Sequence, residues 1–303
     1  MKWLITGGAG FIGRNLLEEL TIRPGEKVYI LDNLKVDTSI YGRLLNFFHC
    51  DVTDEKETMK VFEQVKPDIV VHLASQTDVR KSQLFPEETI KENTAGLQSC
   101  LKAAIQNNCK KFVFASTGGI AGEAGEAVDE ETSPNPISAY AKSKWICEQI
   151  CQENVDLIDI IILRFSNVFG SYCFHKPSAI PKFIKNILQD KPITIFGDGT
   201  QTRDFLYAPD LAIFLIKLVL EDEYGLFCVA SGESFSIHIL LEKLSVISGK
   251  EIDINYSAAN DGEILMSEFK NKKAKFYGFS NRWNIEDRLA KTYEWIKHFE
   301  KGS

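Results

Sequence analysis

Residues 2–13 read Lys2-Trp3-Leu4-Ile5-Thr6-Gly7-Gly8-Ala9-Gly10-Phe11-Ile12-Gly13, and their reading decides the fold. Lys2–Thr6 is a short apolar run of strand character, and Phe11–Leu20 carries a helical pattern. Gly7, Gly10 and Gly13 recur every third residue across the junction. Glycine permits the tight turn, close approach of backbone to a ligand, and close helix–sheet packing. The helix N-terminus adds free N–H groups and partial positive charge, which suit phosphate. A strand–glycine loop–helix unit of this kind predicts a dinucleotide site. Asp32 ends the next strand, about twenty residues on, where a carboxylate binds the ribose hydroxyls of NAD and repels the 2′-phosphate of NADP. Arg14 and Lys35 are nearby cations that would favour NADP instead.

Working outward, Lys27–Leu31, Asn46–His49, Ile69–Ala74, Lys111–Ser116 and Ile158–Phe165 read as further strands. Their continuous β-branched and aromatic character suits strands covered on both faces. Glu55–Val65, Thr89–Asn107 and Ala139–Glu153 read as helices between them. Such alternation predicts an α/β chain with a Rossmann-type doubly wound parallel sheet. After Asn167 the texture changes. Gly170–Pro181 reads as loop, Ile193–Phe196 and Leu226–Val229 as strands, and Leu211–Leu220, Phe235–Ser248 and Asn284–Phe299 as helices. A smaller, discontinuous C-terminal substrate-binding domain is expected. The expected division is 1–168 plus about 205–231 for the dinucleotide domain, and 169–204 plus 232–303 for the second.

Ligands of an open α/β sheet bind at the carboxyl ends of its strands. Asp51 and Val52 follow the third strand, where an adenine would lie. Leu73, Ala74 and Ser75 end the fourth strand, where backbone can meet the second ribose and phosphate. Gly7, Gly10, Phe11, Ile12, Gly13, Asp32 and Asn33 complete the expected cofactor contacts on this side. His72 reads as a satisfied interior histidine with no chemical role.

The chain has 303 residues, 44% hydrophobic and 25% charged, as a soluble globular protein would. Its net charge of −7 argues against a general nucleic-acid binder. Seven scattered cysteines form no Cys-x-x-Cys pair and no metal-ligand set, and read as buried free thiols of a reducing cytoplasm. The first strand begins at Lys2, leaving no room for a signal peptide, and no apolar run approaches a membrane span of about 20 residues.

Tyr140 and Lys144 stand one turn apart on the Ala139–Glu153 helix and share a face. A nearby ammonium favours phenolate and can pull a tyrosine down from about 10 toward working pH, which makes it a useful base. The same spacing recurs in Tyr172…Lys176 and Tyr293…Lys297. The first of these lies in a loop, and the second has no partner hydroxyl. Tyr140 differs because Ser116 and Thr117 end the preceding strand on the ligand side. The hydroxyl of Thr117, the phenol of Tyr140 and the ammonium of Lys144 can converge on one substrate oxygen beside a nicotinamide.

The motifs TGGAGFIG (6–13), LDN (31–33), HLAS (72–75), ENT (92–94), STGG (116–119), YAKSK (140–144), LRFSNVFG (163–170), IFGDGTQTRDFLY (195–207) and ASGESFSI (230–237) occur in this order. With them the chain resembles, nearly end to end, the extended short-chain dehydrogenase/reductase superfamily, in its nucleotide-sugar epimerase and dehydratase branch. The resemblance implies that Tyr140 is the acid/base, Lys144 its activator and a ribose ligand, and Thr117 the hydrogen-bonding partner. It implies that Asn93 contacts the nicotinamide side of NAD. Ser116 and Asn167 would bind the sugar-diphosphate substrate, and Arg203 its nucleotide part. Arginine's planar fork suits such a role. Relatives often dimerise through two helices, here Thr89–Asn107 and Ala139–Glu153, so a homodimer is expected.

Dehydratases of this branch usually carry an Asp-Glu pair where this chain has Gly118 and Gly119. Without those proton carriers the expected reaction is NAD-dependent C4 epimerisation through a transient 4-keto sugar, with a dehydratase or a 4-keto-sugar reductase as the alternative. Three departures bear on the substrate. Ile120-Ala121-Gly122 replaces an aromatic turn, the Gly170–Pro181 loop carries His175 and Lys176, and Asn260-Asp261-Gly262-Glu263 lacks the arginine usual there. That phosphate contact is then either missing or supplied elsewhere, by Lys176 or Arg282.

Overall fold

A computed structural model describes residues 1–35, 46–258 and 265–302. Along the first half run β1 (Lys2–Thr6), α1 (Phe11–Thr21), β2 (Lys27–Asp32), β3 (Phe47–His49), α2 (Glu55–Val65), β4 (Ile69–His72), α3 (Val79–Leu84), α4 (Pro86–Gln106), β5 (Lys111–Ala115), α5 (Ala139–Gln152) and β6 (Asp159–Phe165). There follow β7 (Asn167–Phe169), α6 (Ala179–Leu188), β8 (Ile193–Phe196), β9 (Thr202–Tyr207), α7 (Ala208–Leu220), β10 (Gly225–Val229), β11 (Ser234–Ser236), α8 (Ile237–Ser248), β12 (Ile254–Ser257), β13 (Met266–Ser267), α9 (Lys272–Phe276) and α10 (Ile285–Gly302).

Seven strands form the main sheet in the order β10-β6-β5-β4-β1-β2-β3, the expected doubly wound arrangement. The pairs from β3 through β6 all run parallel. Burial explains their apolar composition: Leu4, Val70, Phe112 and Ile162 are wholly enclosed. They meet Phe62 and Val65 of α2, Leu97 and Leu101 of α4, and Cys147 and Cys151 of α5 in one core. Removing each large side chain from water contributes about 1.5–3 kcal/mol. The order reverses between β1 and β4, and the loops after these strands flank the switch point where such sheets bind ligands.

The chain divides into two compact units. The first holds 1–121, 133–164 and 212–227, and the second 122–132, 165–211 and 228–303. In the second, β9 pairs with β7, β11 and β13, while β8 pairs with β12. No helix among the described residues is long and apolar enough to cross a membrane.

Two expectations for the second half need correction. Gly170–Pro181 is not all loop, since α6 begins at Ala179. Pro181 sits in its first turn, where a missing N–H costs nothing. The helix expected from Phe235 begins instead at Ile237, because Ser236 caps it by accepting from the Ile239 amide at 3.2 Å. All seven cysteines are buried free thiols.

Candidate active site

The glycine loop is shaped by its neighbours. Gly7 has φ +68°, and a Cβ there would lie 2.6 Å from the Ala74 amide and 2.8 Å from the Leu73 carbonyl carbon. A Cβ on Gly13 would lie 2.6 Å from the Gly8 backbone. Gly10 caps α1 without a side-chain hydrogen bond, and the first turn carries no acid. The leading N–H groups of α1 are thus left to an anion. These features fit the pyrophosphate of a dinucleotide, and they bring Gly7, Leu73 and Ala74 together. Phe11 is buried, so its contribution there is its backbone.

On the ribose side, Asp32 accepts from the Ala9 amide at 3.1 Å and from the Leu34 amide at 2.8 Å. Its carboxylate therefore stands fixed beside the loop. Asn33 donates to Asp51 at 2.9 Å, and Lys35 bridges Glu92 at 2.6 Å and Asp51 at 3.4 Å. Burial opposes ionisation of Asp51, but hydrogen bonds from Thr53 and Asn33 and the Lys35 ammonium outweigh it and hold the carboxyl down at about 2. Arg14 is buried, and Lys35 is engaged by two acids. Neither cation is poised to receive the 2′-phosphate that would mark NADP, which leaves Asp32 to decide for NAD.

The chemical group is built where β5 meets α5. Ser138 caps α5, accepting from the Ala141 amide at 3.1 Å, so Tyr140 and Lys144 fall on the first two turns of a well-started helix. The Lys144 ammonium donates to the Ala115 carbonyl at 2.9 Å and lies 5.9 Å from the centre of the Tyr140 ring. The Thr117 side chain stands close enough to Tyr140 to favour its ionised form. Thr117 also accepts from the Gly119 amide at 3.2 Å. Thr117, Tyr140 and Lys144 therefore meet as expected from their positions.

The expected downward pull on the phenol needs correction. Burial dominates and pushes Tyr140 above the ordinary tyrosine value, with the nearby Thr117 side chain opposing. His72 agrees with its reading: it hydrogen-bonds Thr6 at 2.9 Å, and burial, helped by the Lys144 ammonium, holds it down at about 3.

Two expected contacts are spent on the protein itself. The amide of Asn93 is buried, accepts from the Gln76 amide at 2.7 Å, and donates to the Gln76 carbonyl at 3.1 Å and to Ser143 at 2.8 Å. It braces α5 rather than opening toward a ligand. The Ser116 side chain is wholly buried and donates to Glu148 at 2.5 Å, so its hydroxyl does not reach a substrate. Sequence reasoning missed Glu148, Arg164, Ser143 and Gln76. Arg164 carried a signal, as a charged residue near the end of a strand otherwise read as apolar.

Asn167 and Arg203 belong to the second unit. Asn167 is exposed on β7 and donates to the Asp204 carbonyl at 3.2 Å. Arg203 on β9 donates to the Thr202 carbonyl at 2.8 Å. Arg282 pairs with the buried Asp210 at 3.2 Å. The Asn260–Glu263 stretch lies outside the described residues.

Comparison with known proteins gives consistent relatives. A sequence model of the NAD dependent epimerase/dehydratase family matches residues 3–229. A putative UDP-glucose 4-epimerase of Methanocaldococcus jannaschii is 32% identical, across 97% of this chain and 98% of its own. The UDP-glucose 4-epimerase of Thermus thermophilus, solved in complex with NAD, superposes with a TM-score of 0.91 at 29% identity, covering 98% of this chain and 99% of its own. The human dTDP-D-glucose 4,6-dehydratase is 28% identical over 97% of this chain and 89% of its own.

Proposed function

The chain belongs to the NAD-dependent epimerase/dehydratase family, and from that premise we propose that it inverts C4 of a nucleotide-diphosphate sugar with NAD as cofactor. The observation that carries the reading is the meeting of the Thr117 strand end with Tyr140 and Lys144 at the start of α5, the Lys144 ammonium donating to the Ala115 carbonyl at 2.9 Å and lying 5.9 Å from the phenol ring.

Gly7, Gly10 and Gly13 seat the pyrophosphate, and Asp32 takes the adenosine ribose. The chemistry that NAD supplies when bound is reversible acceptance of the C4 hydride. Tyr140 takes the proton of the C4 hydroxyl as the C4–H electron pair leaves, and Thr117 holds the same oxygen. Returning that proton from Tyr140 completes the inverted alcohol after the 4-keto sugar has turned. Lys144 favours the phenolate that this requires, against the burial that opposes it. Gly118 and Gly119 carry no acid or base, which supports epimerisation over elimination of water. A dehydratase remains the second reading, supported by the likeness to dTDP-D-glucose 4,6-dehydratase.

The first unit serves as the NAD-binding domain and the second as the substrate domain. In the second, Asn167 serves the diphosphate and Arg203 the nucleotide. UDP sugars come first, since the relatives are named for them. The buried thiols suit a cytoplasmic enzyme, and α4 with α5 would form the contact of a homodimer, which sedimentation can read.

The test is to incubate the protein with UDP-, dTDP-, CDP- and GDP-sugars and identify products by NMR. A C4 epimer formed without net change in NADH supports the proposal. Only a 4-keto-6-deoxy product, or net consumption of NAD(P)H, defeats it.

A further inference from the structure

A strand and a helix bring two opposite charges together in the core of the first unit. Arg164 on β6 grips Glu148 on α5 with two prongs, Nε at 3.0 Å and Nη2 at 2.7 Å. Both side chains are nearly inaccessible, 4% and 2% exposed. Desolvating such a pair costs about what its attraction returns, and an apolar pair of equal volume would stabilise the fold as well. An apolar pair could not accept the Ser116 hydroxyl, which Glu148 does at 2.5 Å.

The pattern is wider than one bond. Tyr140, Lys144 and Glu148 stand at successive turns of one face of α5. Each faces one of three consecutive residues at the strand end: Tyr140 lies beside the Thr117 side chain, Lys144 donates to the Ala115 carbonyl, and Glu148 accepts from Ser116. The last of these contacts is the one anchored by a buried charge on a third element.

We propose that the Ser116–Glu148–Arg164 network is a positioning device that fixes the strand end carrying Thr117 to the helix carrying Tyr140, so that hydroxyl and phenol stay in register on the substrate oxygen. It rests on the epimerase reading for its effect on turnover. Glu148, Arg164 and the Ser116 hydroxyl act through Thr117 and Tyr140 and do not touch the substrate.

Ser116→Ala tests it, because the variant removes only the link and leaves the Glu148–Arg164 pair intact. A misplacement near 1 Å costs about 100-fold, so a partial release should lower kcat about 10-fold while KM, retained NAD and melting temperature stay near wild type. Glu148→Asp, which keeps the charge but draws it back by one methylene, should lower kcat similarly. The double variant should lose no more than either single one, since both cut the same link. A crystal structure of Ser116→Ala reads the device without turnover: the Thr117 hydroxyl should part from the phenol. Unchanged geometry there overturns the proposal even if no substrate is found. Wild-type kcat in Ser116→Ala, or losses that add independently, also overturns it. A wild-type protein inactive on every sugar tested defeats the epimerase reading instead.

Discussion

Gly13→Ala sets two effects of opposite sign against each other. Gly13 is the third residue of α1, and inside a helix alanine is favoured over glycine by about 1 kcal/mol. On propensity alone the variant would be more stable. The added Cβ, however, would lie 2.6 Å from both the Cα and the carbonyl oxygen of Gly8. These are backbone atoms, so no side chain can rotate away, and α1 must retreat from the loop by roughly an ångström. Overpacking of this kind costs about 1–3 kcal/mol, and a clash with backbone belongs at the upper end. The net loss is about 2 kcal/mol, or about 3 °C in Tm for a chain of this size. The retreat also withdraws the α1 amides from the pyrophosphate. Thermal unfolding with and without added NAD reads both effects. In the wild type, NAD at about 100 times its Kd adds about 2.7 kcal/mol, and the variant should lose most of that increment. A Gly13→Ala protein that melts higher than wild type and keeps its NAD-dependent shift would refute the close-approach argument.

Tyr140→Phe should retain NAD and the fold yet lose turnover by about 100-fold or more, checked by absorbance of bound NAD and product NMR. Asp51→Asn should lower stability at pH 7 by about 1 kcal/mol, a figure discounted for solvent exposure. The Asp51 carboxyl is held below its ordinary 3.8, at about 2, so its contribution is present above 3.8 and fades as pH falls toward 2. Urea unfolding of both proteins across that range should therefore converge, and a constant gap would count against the argument. Asp32→Ser should weaken NAD and relieve the repulsion of NADP, so that the ratio of their Kd values moves toward NADP by about 10-fold or more; an unchanged ratio removes Asp32 from the specificity argument.

Local chemistry made much of this molecule legible. β1, the glycine loop and α1 could be read because one short stretch contains apolar run, turn and helix start together. The parallel strands could be read because burial on both faces imposes continuous apolar sequence. β9 could not, because Thr202-Arg203-Asp204 has no strand pattern. Asp204 is wholly buried and is satisfied by Ser166, Ser231 and Gly232, all distant in sequence. The Thr117–Tyr140–Lys144 group was legible as spacing after a strand end. The commitment of Asn93 to Gln76 and Ser143, and of Ser116 to Glu148, was not, since both depend on elements that meet only in the fold. The direction of the Tyr140 shift was missed for the same reason: the burial that raises it is tertiary.

The enclosed thiols give the chain a clock of its own opening. Burial pushes Cys109 up to about 12 and Cys147 up to about 11, and Cys173 likewise stands at about 12. A thiol reacts as thiolate, so these sulfurs are shielded twice, by access and by ionisation. Cys109 and Cys147 report the first unit and Cys173 the second. Alkylation followed by peptide mass mapping would thus time the loosening of each unit separately in unmodified enzyme, with the delay produced by added NAD showing which unit the cofactor ties shut.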